Sequence, residues 1–398
     1  MPLNARIRSM QFNETQRMIR EHAARFARDK LLPNAAPLDR GEGEKEYLQN
    51  LRELAAMGFN GIAVDNTYGG AQAGAVAYAL AVFELAKACA STTVAVSVTN
   101  MAAEVVQAVG NEAQKNKYLP PLMRGDFAAA SFCLSESGAG SDPAAMRTRA
   151  EKDGEGFVLH GAKQWISSAK IAGFFLVWAV TDKQAARGRG ISCFIVESNS
   201  EGVSIGPDVD KMGQRGSPTN EVVFDGVRVG AESLLGELNG GYAIAMRELF
   251  GGRIGVAAMA LGIADAALST ARDYMLVREQ HGKKLAGHQG LRWMFAERRA
   301  ETEAAFWLMI RAATLKDDGE DFITEAAMAK YLAAQAGERA CRDALQLHGG
   351  YGYMRDLPLE RYCRDIRIAA IYEGSDEMQK NIIARQLLKQ GEQGETKQ

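Results

Sequence analysis

The sequence predicts a mainly helical α+β protein in which a β domain separates two helical regions. Residues 11–127 and the chain from Gly241 onward carry apolar side chains at helical spacing, whereas residues 128–235 show short β-type runs between Gly, Asp, Asn and Ser clusters. At 398 residues, the chain is also too long for one ordinary hydrophobic core. We therefore expect three domains, at 1–127, 128–235 and 236–398.

The first predicted domain consists of helices alone. Its first helix has apolar residues from Phe12 to Leu31 and is expected to end before Pro33, because proline lacks the N–H that a helix interior needs. A second helix ends at Gly58, and an Ala-rich segment further on favours close packing in a buried bundle. The later helices are expected at Ala75–Ala90, Asn100–Val109 and Gln114–Met123.

The β-type runs predict a small antiparallel domain, a barrel or a sandwich, whose connecting loops suit a cofactor. They lie at Phe157–Leu159, Phe174–Val180, Ile191–Val196 and Glu221–Phe224. Long periodic segments then predict a C-terminal four-helix bundle. These segments are Tyr242–Arg278, Gln289–Lys316 and Ile323–Leu347.

Composition excludes several classes of protein. The net charge of −2 offers no basic surface for nucleic acid or for an anionic membrane. Five cysteines and five histidines are scattered without paired spacing, so neither a disulfide framework nor a metal centre is expected. The sequence shows no signal-peptide core, and we expect no membrane-spanning run and a cytoplasmic location.

Glu373 is the strongest single candidate for catalysis. It follows the apolar run Ile366–Ile371 and precedes Gly374, and Ser375 is placed to cap a new helix. A carboxylate in such a joint, partly desolvated beside Tyr372, is expected to have a raised pKa and could abstract a proton. An exposed glutamate at a helix boundary explains this stretch alone equally well.

Four other segments carry glycines or polar side chains, and each has an ordinary structural explanation. Phe132–Asp142 resembles many tight turns, and Trp165 within Lys163–Ser168 fits a β core better than a cofactor wall. Arg278 could simply neutralise a helix dipole, and the glycines of Gln346–Tyr353 suit a helix C-terminus.

Taken together, these segments resemble the acyl-CoA dehydrogenase family. The resemblance covers roughly Phe12 to Leu388, and Ile323–Lys330 is most similar to the short-chain members. Its most specific parts are Leu134-Ser-Glu-x-Gly-Ala-Gly-Ser-Asp142, Gln346-x-x-Gly-Gly-x-Gly-Tyr353 and Ile371-Tyr-Glu-Gly-Ser375.

The resemblance implies a middle β-barrel between the helical domains and a non-covalent FAD held among the three, in this family often across a subunit interface. It also implies electron-transfer flavoprotein as the acceptor and a homotetramer built as a dimer of dimers. The residues that match FAD contacts are Phe132, Leu134, Ser135, Gly140, Ser141, Trp165, Ile166, Ser167, Arg278, His281, Gln289, Gln346, Gly349, Gly350, Ser375 and Glu377.

The resemblance assigns the chemistry to Glu373. As in the family, Glu373 would remove the α-proton of an acyl-CoA thioester while a hydride leaves the β-carbon for flavin N5. The Glu373 N–H and a ribityl hydroxyl of FAD would polarise the thioester carbonyl. The positions that match substrate contacts are Ser141, Phe250, Arg253, Tyr372 and Gly374.

Four positions bear on how far the resemblance extends. Some relatives carry the base immediately before the CoA-contacting arginine, but that position is Gly252 here, which leaves Glu373. Phe250 stands where relatives usually carry aspartate, which puts one pantetheine contact in doubt. His281 replaces a phenylalanine and adds a titrating group, and Ser137 replaces a proline in a turn.

We expect dehydrogenation of a short or small branched acyl-CoA. The same fold could also serve an enoyl-CoA reductase, a desulfinase-like enzyme or an acyl-CoA oxidase. A non-catalytic CoA-ester-binding protein is the alternative from another class, and retention of Glu373 weighs against it.

Overall fold

The computed structural model of the chain describes residues 12–395. The segment before Phe12, where a signal peptide was sought, lies outside these residues. Within them, helices come first, a sheet follows, and helices return, as predicted. The boundaries assigned to the three domains stay a prediction.

Six α-helices precede the sheet within residues 12–395. Helix α1 carries a capping box in which Asn13 and Gln16 bond each other's backbone N–H groups. The predicted end before Pro33 is wrong, because one turn of π-helix at Ala27–Leu31 leads directly into α2, where the proline lies in the first turn and needs no N–H partner. The predicted Ala75–Ala90 helix breaks after Ala86. The helices are α1 Glu14–Phe26, α2 Leu32–Asp39, α3 Glu44–Ala56, α4 Gly74–Ala86, α5 Ala90–Val109 and α6 Glu112–Arg124.

Eight strands form one mixed sheet, so the expectation of a purely antiparallel barrel is not confirmed. Strand β1 pairs in parallel with β4, and β2 does so at Arg149 and Val180. The order β6-β7-β3-β2-β4-β5-β8 leaves the sheet open within the described residues. The strands are β1 Ala129–Cys133, β2 Arg149–Asp153, β3 Gly156–Ser167, β4 Ala172–Val180, β5 Ile191–Glu197, β6 Val203–Ile205, β7 Thr219–Val229 and β8 Leu234–Leu235.

Four long helices dominate the C-terminal part, joined by a short hairpin and two short helices. The three predicted long segments agree with α7, α8 and α9 to within two residues at each end. The elements are α7 Gly241–Val277, β9 Glu279–Gln280, β10 Lys283–Lys284, α8 Gln289–Asp317, α9 Ile323–His348, α10 Gly350–Tyr353, α11 Leu359–Ile366 and α12 Asp376–Glu395.

Helix α7 has the length and hydropathy of a membrane-spanning helix, contrary to the expectation that no such run exists. In its most apolar window, 83% of the residues are buried inside the protein. Its apolar side chains pack against α4, α5, α8 and α9 in the largest hydrophobic core. Burial in a helical core accounts for this composition without a bilayer.

Helices α5 and α7 connect the helical core to the sheet. A second core joins the C-terminal half of α5, helix α6 and one face of β1, β4 and β5, and the other face of the sheet has a core of its own. Trp178 of β4 is fully buried, and its indole N–H donates to the carbonyl of Gly241 at 2.7 Å.

Candidate active site

Glu373 lies in the turn that precedes α12, as predicted. One turn of 3-10 helix at Arg367–Ala370 ends just before it. Glu373 and Gly374 both have left-handed backbone, with φ of +51° and +90°. Glycine adopts this conformation freely, but for a side-chain-bearing residue it costs roughly 1–2 kcal/mol. The neighbouring structure therefore holds Glu373 in its place.

The carboxylate of Glu373 points into the protein. Its Oε2 atom is buried and has no hydrogen-bond partner among the described residues. It packs on α7 at Gly252, where an added Cβ would clash with Oε2 and lie within 3.0 Å of the Met101 sulfur. Burial raises the pKa of Glu373 to about 7, although the charges of Lys330 and Arg253 oppose the rise. The group is thus divided between acid and base near neutral pH.

Arg253 follows Gly252 on α7 and is 5% exposed. Its guanidinium lies over the Phe250 ring, with 4.7 Å between the guanidinium carbon and the ring centroid, in cation–π geometry. Its Nε and Nη1 atoms are buried and have no hydrogen-bond partner in the described part of the chain. Burial lowers the pKa of Arg253 to about 10, which leaves it charged at neutral pH. A buried cation with free donors is suited to an anionic or carbonyl-bearing ligand.

Tyr372 lies beside Glu373 in the turn. Its hydroxyl donates to the sulfur of Met259 at 3.4 Å, and its ring packs against the helical core. Burial raises the pKa of Tyr372, so the phenol stays neutral. Tyr372 therefore forms an apolar wall beside Glu373.

A charged cluster that the sequence analysis missed lies beside Gly251. Lys316 of α8 bonds Glu104 of α5 at 2.5 Å, and its Nζ lies 2.9 Å from where a Cβ of residue 251 would stand. Glu248 lies one turn earlier on α7, and burial, then the Glu104 charge, raises its pKa. Three helices far apart in sequence supply these residues, so no local motif could have revealed them.

The predicted flavin loop, Phe132–Ser141, is joined to the end of β3. Ser131 donates to the carbonyl of Ser167 at 2.8 Å, and the Gln164 N–H donates to the carbonyl of Ser135 at 2.9 Å. Phe132 packs against Trp178, with ring centroids 4.1 Å apart and the ring planes tilted by 39°. Gly140 and Ser141 are exposed, whereas Leu134 is buried. The two segments expected to contact the flavin thus lie side by side.

A buried ion pair beneath this loop was also missed. Lys163 is fully buried and bonds Glu136 at 2.8 Å and the carbonyl of Leu134 at 3.1 Å. Glu136 also accepts the N–H groups of Arg147 and Thr148. Burial raises the pKa of Glu136, but the charge of Lys163 and the hydrogen bonds from Lys163, Thr148 and Arg147 together outweigh it, and the net shift is downward.

Trp165 is not a core residue. Its side chain is 55% exposed, and its backbone is left-handed, with φ of +58°. An irregularity in the β3–β7 pairing between Lys163 and Ile166 turns it outward, while Ile166 stays buried. The interpretation of Trp165 as part of the β core is therefore wrong, and an exposed indole is available to a planar ligand.

A cavity of about 620 Å³ collects four of the other predicted cofactor residues. Arg278 at the end of α7 and Gln346 near the end of α9 line it together with Gly349 and Gly350. Gly349 has φ +60° and ψ −138°, which glycine alone adopts readily. A guanidinium, an amide and bare backbone match the pyrophosphate and adenine of a dinucleotide.

The remaining predicted contacts lie outside this cavity. His281 lies exposed in the β9–β10 hairpin, 6.4 Å from the His288 ring between centroids, and Gln289 begins α8 beside it. Ser375 and Glu377 flank the first residue of α12. The predicted FAD residues thus form separate groups at the flavin loop, this cavity and the start of α12.

Profiles of three domain families match consecutive parts of the chain. They are described as the N-terminal, middle and C-terminal domains of acyl-CoA dehydrogenase, and they match residues 13–126, 131–227 and 239–388. The chain is 40% identical over 383 residues to the short-chain-specific acyl-CoA dehydrogenase of Clostridium acetobutylicum, covering 96% of this chain and 100% of that protein.

Two further similarities bear on the reaction. A 3-(aryl)acrylate reductase from Clostridium sporogenes is 41% identical over 382 residues, covering 96% of this chain and 100% of that protein. The solved structure of butyryl-CoA dehydrogenase from Megasphaera elsdenii superimposes with a TM-score of 0.91 at 37% identity, covering 96% of this chain and 100% of that one.

Proposed function

Because the chain belongs to the acyl-CoA dehydrogenase family, we propose that Glu373 is the base of an α,β-dehydrogenation of an acyl-CoA thioester. The protein is an FAD-dependent acyl-CoA dehydrogenase. The observation that carries the assignment of the base is the buried Oε2 of Glu373, which has no hydrogen-bond partner among the described residues and belongs to a carboxyl with a pKa of about 7. A general base works best when its pKa lies near the working pH.

The turn that places the carboxylate also offers a donor to the substrate. No acceptor is placed against the Glu373 N–H within residues 12–395. A donor in this position could bond the thioester carbonyl and stabilise the negative charge that develops as the α-proton leaves. Base and donor would then belong to one residue, with their relative position fixed by the backbone.

Arg253 is the proposed contact for the CoA part of the substrate. Its buried donors have no partner among the described residues, and leaving such donors unpaired costs about 1–3 kcal/mol each, which a ligand would recover. The Phe250 ring packs against the guanidinium. Where relatives usually carry an aspartate, this chain therefore has a cation–π contact in place of an ionic neighbour.

The residues present fit FAD. The exposed Trp165 and the flavin loop suit a planar ring system, and the donors of Arg278 and Gln346 in the large cavity suit the pyrophosphate. When bound, FAD supplies the acceptor for the hydride that leaves the β-carbon. Lys163 and Glu136 fix the flavin loop, and Glu373 holds and moves the α-proton.

The charged cluster of Glu104, Glu248 and Lys316 supports a short acyl group. It lies beside Gly251, next to the residue on which the Glu373 carboxylate packs. An alkyl chain that extended along this face of α7 would have to displace a partly buried ion pair or lie against it, which is unfavourable. The similarity to short-chain and butyryl-CoA dehydrogenases agrees with this proposal.

Anaerobic mixing of the purified flavoprotein with straight-chain and branched acyl-CoA esters tests the proposal. We expect the flavin absorbance to bleach fastest with butyryl-CoA or isobutyryl-CoA and more slowly with longer esters. A preparation that binds no FAD, or a flavin that no acyl-CoA reduces, would contradict the proposed reaction.

Reduction of an enoyl-CoA is the second candidate, and the similarity to a 3-(aryl)acrylate reductase favours it. The same residues serve both directions, because Glu373 would then return a proton to the α-carbon. Oxidation of the dithionite-reduced protein by crotonyl-CoA or cinnamoyl-CoA, compared with the forward rates, separates the two directions.

The proposed partners follow from the family and from the surface. Exposed apolar side chains lie near the large cavity, as expected for an interface between subunits of a homotetramer. They are Leu276, Val277, Trp293, Tyr351, Tyr353 and Met354. We propose electron-transfer flavoprotein as the physiological acceptor, and the cytoplasmic location stays a prediction.

A further inference from the structure

Lys330 of α9 is a buried cation that the proposed reaction does not use. Its side chain is fully buried. It donates to the carbonyl of Gly374 at 2.7 Å and lies 3.6 Å from a carboxylate oxygen of Asp376, the first residue of α12. Burying an ammonium is costly unless it is paired and hydrogen-bonded, so its position calls for an explanation.

Gln379 reinforces the same carbonyl. It is fully buried, and its Nε2 donates to the carbonyl of Gly374 at 2.7 Å and lies 3.4 Å from that of Glu373. Asp376 is held in turn by Gln335, at 2.7 Å. The Gly374 carbonyl therefore accepts two buried donors from two different helices.

We propose that Lys330 is a positioning residue that fixes the left-handed turn at Glu373 and Gly374 and so aims the catalytic carboxylate and the adjacent N–H. The inference rests on the proposed role of Glu373 as base. Two consecutive residues with positive φ require outside support, and this carbonyl is where the fold supplies it. A misplacement of about 1 Å can reduce a rate roughly 10²-fold.

The charge of Lys330 also acts on the base. Lys330 on α9 and Arg253 on α7 oppose the rise that burial imposes on the pKa of Glu373. Other titratable groups that interact with this carboxyl are Tyr78 of α4, Tyr372 and Glu248. Of the two cations, only Lys330 bonds the backbone of the turn, so its removal should change both geometry and titration.

Two variants separate these effects. Lys330→Gln keeps a donor for the Gly374 carbonyl but removes the charge, and Lys330→Met removes both. Lys87→Met is a matched control, because Lys87 pairs with Glu84 and Asp265, and no contact within residues 12–395 joins it to the turn. FAD content and melting temperature are measured for every variant.

The decisive readouts are the pH dependence of flavin reduction by butyryl-CoA and hydrogen–deuterium exchange of the peptide that contains residues 371–379. We expect both Lys330 variants to raise the apparent pKa of the acid limb by about one unit. Lys330→Met should also lower the limiting rate roughly 10²-fold and speed exchange in the turn, and Lys330→Gln should do so less.

A fall in melting temperature with an unchanged acid limb and unchanged turn exchange, as expected for Lys87→Met, would overturn the proposal. If Lys330→Met does not fold, the same two readouts on Lys330→Gln decide. Failure of the proposed function is separate, because the unsubstituted protein would then show no flavin reduction by any acyl-CoA.

Discussion

Glu373 and Gly252 pack so closely that Gly252 has no room for a side chain: a Cβ there would clash with the Oε2 atom of the carboxylate. The glycine thus forms part of the surface on which the proposed base rests. A base at 252 and a base at 373 would compete for the same space. The structure gives a steric reason why a chain with Glu373 carries glycine at the alternative position.

Gly252→Ala should therefore impair catalysis. We expect the methyl group to push the carboxylate aside, with a loss of about 1–3 kcal/mol in stability from overpacking and slower flavin reduction. Stopped-flow absorbance and thermal unfolding measure the two effects. Gly206→Ala is the control, because its Cβ would make only ordinary contacts. An unaltered rate in Gly252→Ala would show that the carboxylate does not rest there during catalysis.

Removing the carboxylate should abolish the chemistry and spare the cofactor. For Glu373→Gln we expect unchanged FAD content and a rate of flavin reduction lower by roughly 10²–10⁴-fold, the usual contribution of a general base. Anaerobic stopped-flow spectroscopy with butyryl-CoA measures the rate. Turnover near that of the unsubstituted protein would refute the assignment.

The raised pKa predicts how activity varies with pH. Below pH about 7 the base is protonated, so kcat/KM should fall about tenfold per pH unit. Above that value it should level off. Steady-state assays with a dye acceptor over pH 5.5 to 9 would locate the limb within about one unit. An acid limb centred near the ordinary glutamate pKa of 4.5 would mean that water reaches the carboxylate more freely than the structure indicates.

The same pKa predicts an effect on stability. A folded-state pKa above the unfolded value favours the folded state when the group is protonated, and this advantage is lost as pH rises from 4.5 through about 7. Glu373→Gln should therefore gain stability relative to the unsubstituted protein as pH rises from 5 to 8. Urea unfolding at the two pH values measures it, and a constant difference would contradict the shift.

Substrate length should respond to the charged cluster. Glu104→Leu combined with Lys316→Met removes both members of the ion pair at once, and we expect the preference to move from butyryl-CoA toward octanoyl-CoA. The comparison is the ratio of kcat/KM values for the two esters. Lys115→Met, which breaks the surface pair with Glu112, should leave this ratio unchanged. An unchanged ratio in the double variant would place the acyl group elsewhere.

Lys163 should matter for cofactor retention. Lys163→Met leaves Glu136 buried without its cation, which we expect to cost about 3–5 kcal/mol in stability and to lower the FAD content. Adding Glu136→Gln should restore much of both, because the unpaired charge is gone. Flavin absorbance after gel filtration and the melting temperature report the outcome. Full FAD content in Lys163→Met would show that the loop does not depend on this pair.

Local sequence patterns predicted the fold well where neighbouring residues decide the structure. The apolar spacing of α7, α8 and α9 gave their ends closely, because each buries a long face. Pairing between distant strands was not predictable. The strands β1 and β4 are parallel, so a long stretch of chain and not a tight turn joins them, and no local motif indicates the pairing.

The residues of the candidate site also differ in how far the sequence predicted them. The turn that holds Glu373 could be predicted because an apolar run, a glycine and a helix cap are adjacent in sequence. The roles of Lys330 and Lys316 could not be predicted, since each contacts its partner across a long stretch of chain and resembles an ordinary helix lysine. By itself, the Trp165 segment suggested a core residue, because burial of an aromatic residue in a strand is the common outcome, and a local irregularity turned the side chain outward.

Gly251, Gly252 and Gly255 leave one face of α7 bare, and a Cβ at any of them would meet a functional or buried polar atom. Replacing a helix glycine by alanine is a standard way to raise thermal stability, by roughly 0.5–1 kcal/mol per site. On this face of α7 glycine-to-alanine replacement should not stabilise the protein, since each added methyl group would fill space that the base, Lys316 or Tyr78 occupies. Heat-resistant variants of this enzyme should therefore retain all three glycines and acquire their stabilising changes elsewhere.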